Sequence, residues 1–188
     1  MDNKKNILKA IPREYKGVEY RSTTESKVAE IFDKYGTKFI YEPEGYSLNG
    51  MLYIPDFYLP EIKTFVEVKG PTNSDLSKPK ALLESLRESL TEDEKRHWWW
   101  LPKYMVVIIY SDGTFYSAEE TEDDIKRQKA MHYKELLFAT CFKCNKKYFV
   151  GYDRGYSCKA CGHYEGGSLK NPLEEFNLFT NQRQYKFK

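Results

Sequence analysis

All four cysteines of this chain lie within 21 residues, as Cys141-Phe-Lys-Cys144 and Cys158-Lys-Ala-Cys161, and none occurs in the first 140 positions. The two Cys-x-x-Cys pairs are separated by 13 residues. Brought together by a hairpin, they supply the four soft thiolates that a tetrahedral Zn²⁺ requires, and their spacing is close to that of known zinc sites. Disulfides are the competing reading; clustering and a reducing compartment argue against them. His163 is a spare ligand, which a shell already closed by four cysteines does not need. The end of the chain is therefore expected to be a small module organised by one structural Zn²⁺, and the cysteine-free part must build its own core.

The material for that core is present. At 188 residues the chain allows one full domain and a small appendage, and 40% hydrophobic residues, with 16 tyrosines and 11 phenylalanines, exclude wholesale disorder. The longest apolar stretch, Trp98 to Tyr110, is interrupted by Pro102 and Lys103 and falls short of the roughly 20 residues of a membrane span. The first residues, MDNKKNILKAIPREYKG, hold no continuous apolar segment of a secretory signal. The reading is a soluble, cytoplasmic protein with no membrane partner. A net charge of +2 conceals an asymmetry. Up to residue 137 there are 21 basic and 24 acidic residues, and beyond it 9 and 4. The +5 of the second part, reduced by about 2 if the thiolates hold zinc, suits an anionic partner such as nucleic acid. Three segments follow: a main domain over 1–137, the cysteine module over 138–170, and an aromatic tail over 171–188 to which no role is assigned.

Within the main domain, residues 22–35 place Val28, Ile31, Phe32 and Tyr35 at helical spacing, with Ser22 as N-cap, Glu25 three residues on and Gly36 as the stop. Three extended runs follow, Lys38 to Glu42, Met51 to Leu59 and Thr64 to Lys69, read as a meander. Leu76, Leu82, Leu83, Leu86 and Leu90 mark a helix within 75–97, amphipathic from Pro79 onward. Lys103 to Tyr110 is a buried strand without alternation, and a polar helix is expected over Glu119 to Tyr133. The order is α-β-β-β-α-β, an α/β (α+β) chain.

Two of those strands carry the chemistry. In Phe65-Val66-Glu67-Val68-Lys69-Gly70, alternation puts Glu67 and Lys69 on one face and Val66 and Val68 on the other. A hairpin centred on Glu61-Ile62 makes pairing partners sum to 123, which sets Asp56 opposite Glu67. Carboxylates at directly paired positions have Cβ atoms about 4.5–5.5 Å apart and need a compensating cation. A hard divalent ion held by one or two carboxylates plus substrate phosphate meets that need. Lys69 would then lie beside an attacking water and a phosphate oxygen, the equipment for phosphodiester hydrolysis. A bulge at Pro60 would shift the register. The competing reading of Glu67 and Lys69 is a solvated ion pair on an edge strand.

Pro55-Asp56, ten intervening residues and then Glu67-Val68-Lys69 resembles the PD-(D/E)XK nuclease superfamily, whose restriction-endonuclease-like core has the same α-β-β-β-α-β order and implies a mixed sheet. Tyr20-Arg21-Ser22-Thr23-Thr24-Glu25 and Tyr41-Glu42-Pro43-Glu44-Gly45 resemble a subgroup of small stand-alone phage and bacterial nucleases. The resemblance covers about Tyr20 to Tyr110. It implies that Asp56 and Glu67, with the Val68 carbonyl, bind Mg²⁺ or Mn²⁺, that Lys69 orients or deprotonates the water, and that Glu25 is a further or water-mediated ligand. The expected catalytic set is Glu25, Asp56, Glu67 and Lys69, and the expected products carry 5′-phosphate and 3′-hydroxyl ends. Glu25 also fits a capping-box role on the Ser22 backbone N–H, which would compete. Of Glu42 and Glu44, offset by two, only one is expected to face the metal.

The cysteine module resembles a zinc ribbon of DNA-processing enzymes. Lys143, Lys146, Lys147 and Arg154 are its candidate nucleic-acid contacts, with Tyr148, Phe149 and Tyr152 either stacking on bases or forming the module's core. Trp98-Trp99-Trp100 divides in the same way between packing and a partner surface, while His97 and His132 lack recognisable partners. The sequence therefore reads as a metal-dependent DNA endonuclease acting on duplex or branched DNA. A junction-resolvase-like or RNA-cleaving nuclease and a non-catalytic nucleic-acid-binding adaptor are the alternatives. One active site cuts one strand at a time, so cutting a duplex through calls for a homodimer or two sequential events.

Overall fold

The structure, a computed structural model, describes residues 10–70, 75–97, 103–131, 136–151 and 158–164. Trp98, Trp99, Trp100, His132, Tyr152, Arg154 and the tail over 171–188 lie outside the described residues. The described residues open with a hairpin that the sequence reading does not include, β1 (Arg13–Tyr15) and β2 (Val18–Tyr20). Lys16 and Gly17 take positive φ of 51° and 77°, the backbone that a tight two-residue hairpin turn needs. Ser22 then caps α1 (Thr23–Lys34), its Oγ accepting the Glu25 backbone N–H at 3.1 Å. The helix ends where Gly36 turns left-handed at φ 64° and the Thr37 N–H reaches back to the Phe32 carbonyl at 2.8 Å. Val28, Ala29 and Phe32, at helical spacing, form the buried stripe.

Next come β3 (Ile40–Tyr41), β4 (Tyr46–Leu48), β5 (Met51–Tyr53), β6 (Phe57–Leu59) and β7 (Thr64–Lys69). The extended run Met51 to Leu59 is thus two strands rather than one. Asn49 and Gly50, at φ 49° and 79°, turn β4 and β5 into a separate hairpin. Pro55, lacking an N–H, stands where the run breaks before β6 enters the main sheet. After β7 the chain forms α2 (Ser77–Glu88) and α3 (Glu92–His97), returns as β8 (Met105–Tyr110), and adds β9 (Phe115–Ser117) and α4 (Glu122–Met131). The cysteine segment begins with β10 (Leu136–Thr140) and β11 (Lys147–Gly151).

The main sheet has the order β3-β6-β7-β8-β9. Only the β7–β8 pair is parallel, which suits a crossover through α2, and the fold is α+β with a mixed sheet. Val66 on β7 faces the α1 layer, with Val28, Phe32, Phe57, Leu59, Val107 and Ile109. Phe65 faces the α2 layer, with Leu82, Leu83, Val106 and Ile108. β7 and β8, bounded by apolar layers on both sides, are continuous hydrophobic runs apart from the two charges on β7.

Candidate active site

Pairing between β6 and β7 runs Phe57 with Val66, Tyr58 with Phe65 and Leu59 with Thr64, each summing to 123. A single 3-10 turn, Pro60–Ile62, and a left-handed Lys63 at φ 47° make the link without shifting the register. Continued by one residue, the same register sets Asp56 against Glu67. By alternation both side chains, and that of Lys69, lie on the face of Phe65.

Both carboxylate oxygens of Glu67 have defined partners. Glu67 Oε1 accepts from Lys69 Nζ at 2.8 Å, and Glu67 Oε2 from the Tyr53 hydroxyl at 2.6 Å. The pair is buried on the central strand of five, so a solvated edge-strand ion pair is excluded. Asp56 Oδ2 accepts the Val68 backbone N–H at 2.6 Å, and the Asp56 carbonyl accepts the Glu42 N–H at 2.9 Å. The ladder partner of Val68 would be Pro55, which returns no N–H. The Val68 carbonyl is thereby spared a β6 donor beside the carboxylates.

Glu25 comes from the opposite layer, on the first turn of α1. Its Oε1 accepts from Ser22 Oγ at 2.7 Å and its Oε2 from the Tyr41 hydroxyl at 2.6 Å. The capping role is therefore divided: Ser22 caps the helix, but the Glu25 carboxylate turns to two hydroxyls rather than to the Ser22 N–H. Glu42 pairs with the Arg21 guanidinium, while Glu44 is exposed and its charge acts on Tyr46.

Burial, then the neighbouring Glu67 charge, holds the Asp56 carboxyl well above the ordinary aspartate range, with Glu25 adding and the Val68 N–H and Arg21 opposing. Desolvation and the Glu67 and Asp56 charges keep Tyr53 a protonated donor far into the alkaline range, and burial with the Glu25 hydrogen bond does the same for Tyr41. Two clustered carboxylates plus a spared carbonyl are the hard oxygen donors that Mg²⁺ or Mn²⁺ takes, so the residues fit such an ion. Among the described residues, the four cysteines are the one group of three or more His, Cys, Asp or Glu gathered closely enough to hold a metal ion, so no third carboxylate joins this pair. Tyr53 and Tyr41, donors to the Glu67 and Glu25 carboxylates, are not singled out by the sequence. Tyr41 and Arg21 lie in the stretches that carried the resemblance, whereas nothing in sequence marks Tyr53.

The four Cys Sγ atoms lie within 4.8 Å of one another, a cluster able to hold a metal ion such as zinc. Cys141 and Cys161 are 3.8 Å apart and Cys144 and Cys158 3.6 Å, near the edge of about 3.8 Å for a tetrahedron with Zn–S bonds of about 2.3 Å. The two turns are built alike. The carbonyls of Cys141 and Cys158 accept from Asn145 and Gly162, both at positive φ, and their N–H groups donate to the carbonyls of Lys146 and His163. His163 thus contributes backbone, and the cluster consists of cysteines only. Burial pushes the Cys158 thiol up to about 11, while the His163 N–H holds Cys161 below its usual range.

Tyr148 and Phe149 are buried, with Phe149 against Phe138 and Phe115, so they form core and are closed to base stacking. Lys143 is exposed, Lys146 pairs with Glu61 at 2.6 Å and Lys147 donates to Thr140 Oγ1 at 2.7 Å. Among the described residues no helix is long and apolar enough to cross a membrane. Comparison with protein-family models, curated proteins and solved structures finds no match to the chain, so the functional reading rests on the chemistry of the site.

Proposed function

We propose that the chain is a divalent-metal-dependent nuclease of PD-(D/E)XK type that hydrolyses phosphodiester bonds in DNA. One observation carries this reading: the β6–β7 register, continued one residue beyond its last pair, sets Asp56 against Glu67 with Lys69 on the same face, and the Asp56 carboxylate is held by a single backbone N–H among the described residues. Asp56, Glu67 and the Val68 carbonyl are the groups that would hold Mg²⁺ or Mn²⁺, with Glu25 contributing charge from α1. Such an ion, when bound, polarises a phosphoryl oxygen and lowers the pKa of a bound water. Lys69 is enclosed and fixed by Glu67, so its charge is preorganised to orient the water and offset charge developing on the phosphate. The cysteine cluster would hold one structural Zn²⁺, and exposed Lys143 is its described candidate for contacting phosphate.

The test is cleavage of supercoiled plasmid, linear duplex, single-stranded DNA, RNA and a four-way junction with Mg²⁺, Mn²⁺ or EDTA. Lys69→Ala should lower the rate by about 10²–10⁴-fold, the usual contribution of a positioned acid–base group, and Asp56→Ala should abolish cutting with the fold intact. Full activity in either variant would sink the mechanism. A preference for the junction or for RNA would select those alternatives, and binding without cutting would favour the adaptor.

A further inference from the structure

We propose that Tyr53 is the positioning residue that holds Glu67 ready for the metal; this rests on the nuclease reading above. Glu67 stands between donors from two elements, Lys69 Nζ on its own strand and the Tyr53 hydroxyl on the β4–β5 hairpin. The terminal torsion of a glutamate is broad. With Lys69 as its only partner, the carboxylate could turn both oxygens onto the ammonium and close as a self-satisfied ion pair. Tyr53 ties the second oxygen from another direction. Each carboxylate oxygen still keeps a lone pair for a cation.

The tyrosine is fixed well enough to do this. The residue is 4% exposed and shares a cluster with Leu48, Phe65, Leu82 and Leu83. Its cross-strand neighbour Tyr46 packs edge-on against Phe65 at 5.6 Å, so the base of the hairpin is seated on the core. Tyr41 holds Glu25 by a bond of the same 2.6 Å length, a second carboxylate fixed by a phenol outside the motif.

The experiment uses zinc-loaded full-length protein with a stabilising osmolyte throughout, and folding is checked by circular dichroism. Mn²⁺ binding is followed by electron paramagnetic resonance, and DNA cleavage is measured alongside. Asp56→Ala identifies the Mn²⁺ bound at this site. Tyr53→Phe should weaken that binding and lower kcat by roughly 10–100-fold, the range for partners that orient a metal ligand, with KM for DNA unchanged. Tyr46→Phe, which removes the same atom from the facing residue, should bind and cut as the unaltered protein does. Unaltered Mn²⁺ affinity and kcat in Tyr53→Phe overturn the positioning role alone. Absence of both Mn²⁺ binding and cleavage in the unaltered protein overturns the nuclease reading, and this proposal with it.

Discussion

Asp56 is a buried carboxylate with like-charged neighbours, and its position has a thermodynamic consequence independent of the proposed nuclease role. A carboxyl whose pKa is raised on folding binds its proton more tightly in the native chain than in the unfolded one. Its contribution is least costly below the ordinary aspartate value of about 4, and stability falls as pH rises from there through the elevated folded pKa. In EDTA, Asp56→Asn should remove this slope and be more stable at neutral pH by about 0.5–2 kcal/mol, the common size of a single stabilising substitution. Urea midpoints measured from about pH 4 to about pH 8 check this. Parallel curves for the two proteins would place the pH dependence on other groups.

At the scale of elements, α1 and β7 show opposite relations between pattern and role. The helix follows from its apolar period and its cap, and Ser22 serves it twice, accepting the Glu25 N–H and donating to the Glu25 carboxylate. Ser22→Ala should therefore cost about 1 kcal/mol in a denaturant titration, the usual value of a lost N-cap. A loss below a few tenths would mean that solvent replaces the hydroxyl. On β7 a continuous apolar run is broken by Glu67 and Lys69, charges that a strand buried on both faces tolerates only as a paired, hydrogen-bonded unit. That local conflict is what makes the pair a candidate site. The β4–β5 hairpin was hidden for a different reason. Its second strand, Met51–Tyr53, reads as part of one long strand with β6 until the Asn49-Gly50 turn and Pro55 are weighed together.

For the molecule as a whole, the cysteine hairpin is bound into the main core. Phe138 packs against Phe32 at 6.5 Å and Tyr35 at 6.2 Å, Phe149 against Phe115 at 5.6 Å, and Cys141 and Cys158 are fully buried in the same cluster. Glu61, in the turn between the two site strands, pairs with Lys146 beside the first cysteine turn, and Lys38 lies 3.6 Å from the same oxygen. A cleft of about 230 Å³ remains between these groups, so charge rather than packing closes that side. Removing a metal ion held by the four cysteines should accordingly weaken the main domain too. Chelation is expected to lower a single thermal transition by roughly 5–10 °C, given about 2–4 °C per kcal/mol at this chain length. Two separate transitions, with the upper one unmoved, would show that the hairpin and the sheet fold independently.

The sequence alone determined whatever depends on local period and chain spacing. That includes α1 with its cap and stop, the strand β7 with Glu67 and Lys69 on one face, the hairpin sum that aligns Asp56, and the paired cysteine turns. Those features need only backbone geometry and a few neighbouring residues. Tertiary structure alone decided which distant groups meet them: Tyr53 on Glu67, Tyr41 on Glu25, Lys146 on Glu61, and Phe138, Tyr148 and Phe149 turned into the shared core. A tyrosine is equally at home in a core, on a surface or against a carboxylate, because its ring is apolar and its hydroxyl needs one partner. Only the packing of the α1 and α2 layers against the sheet specifies which partner that hydroxyl finds.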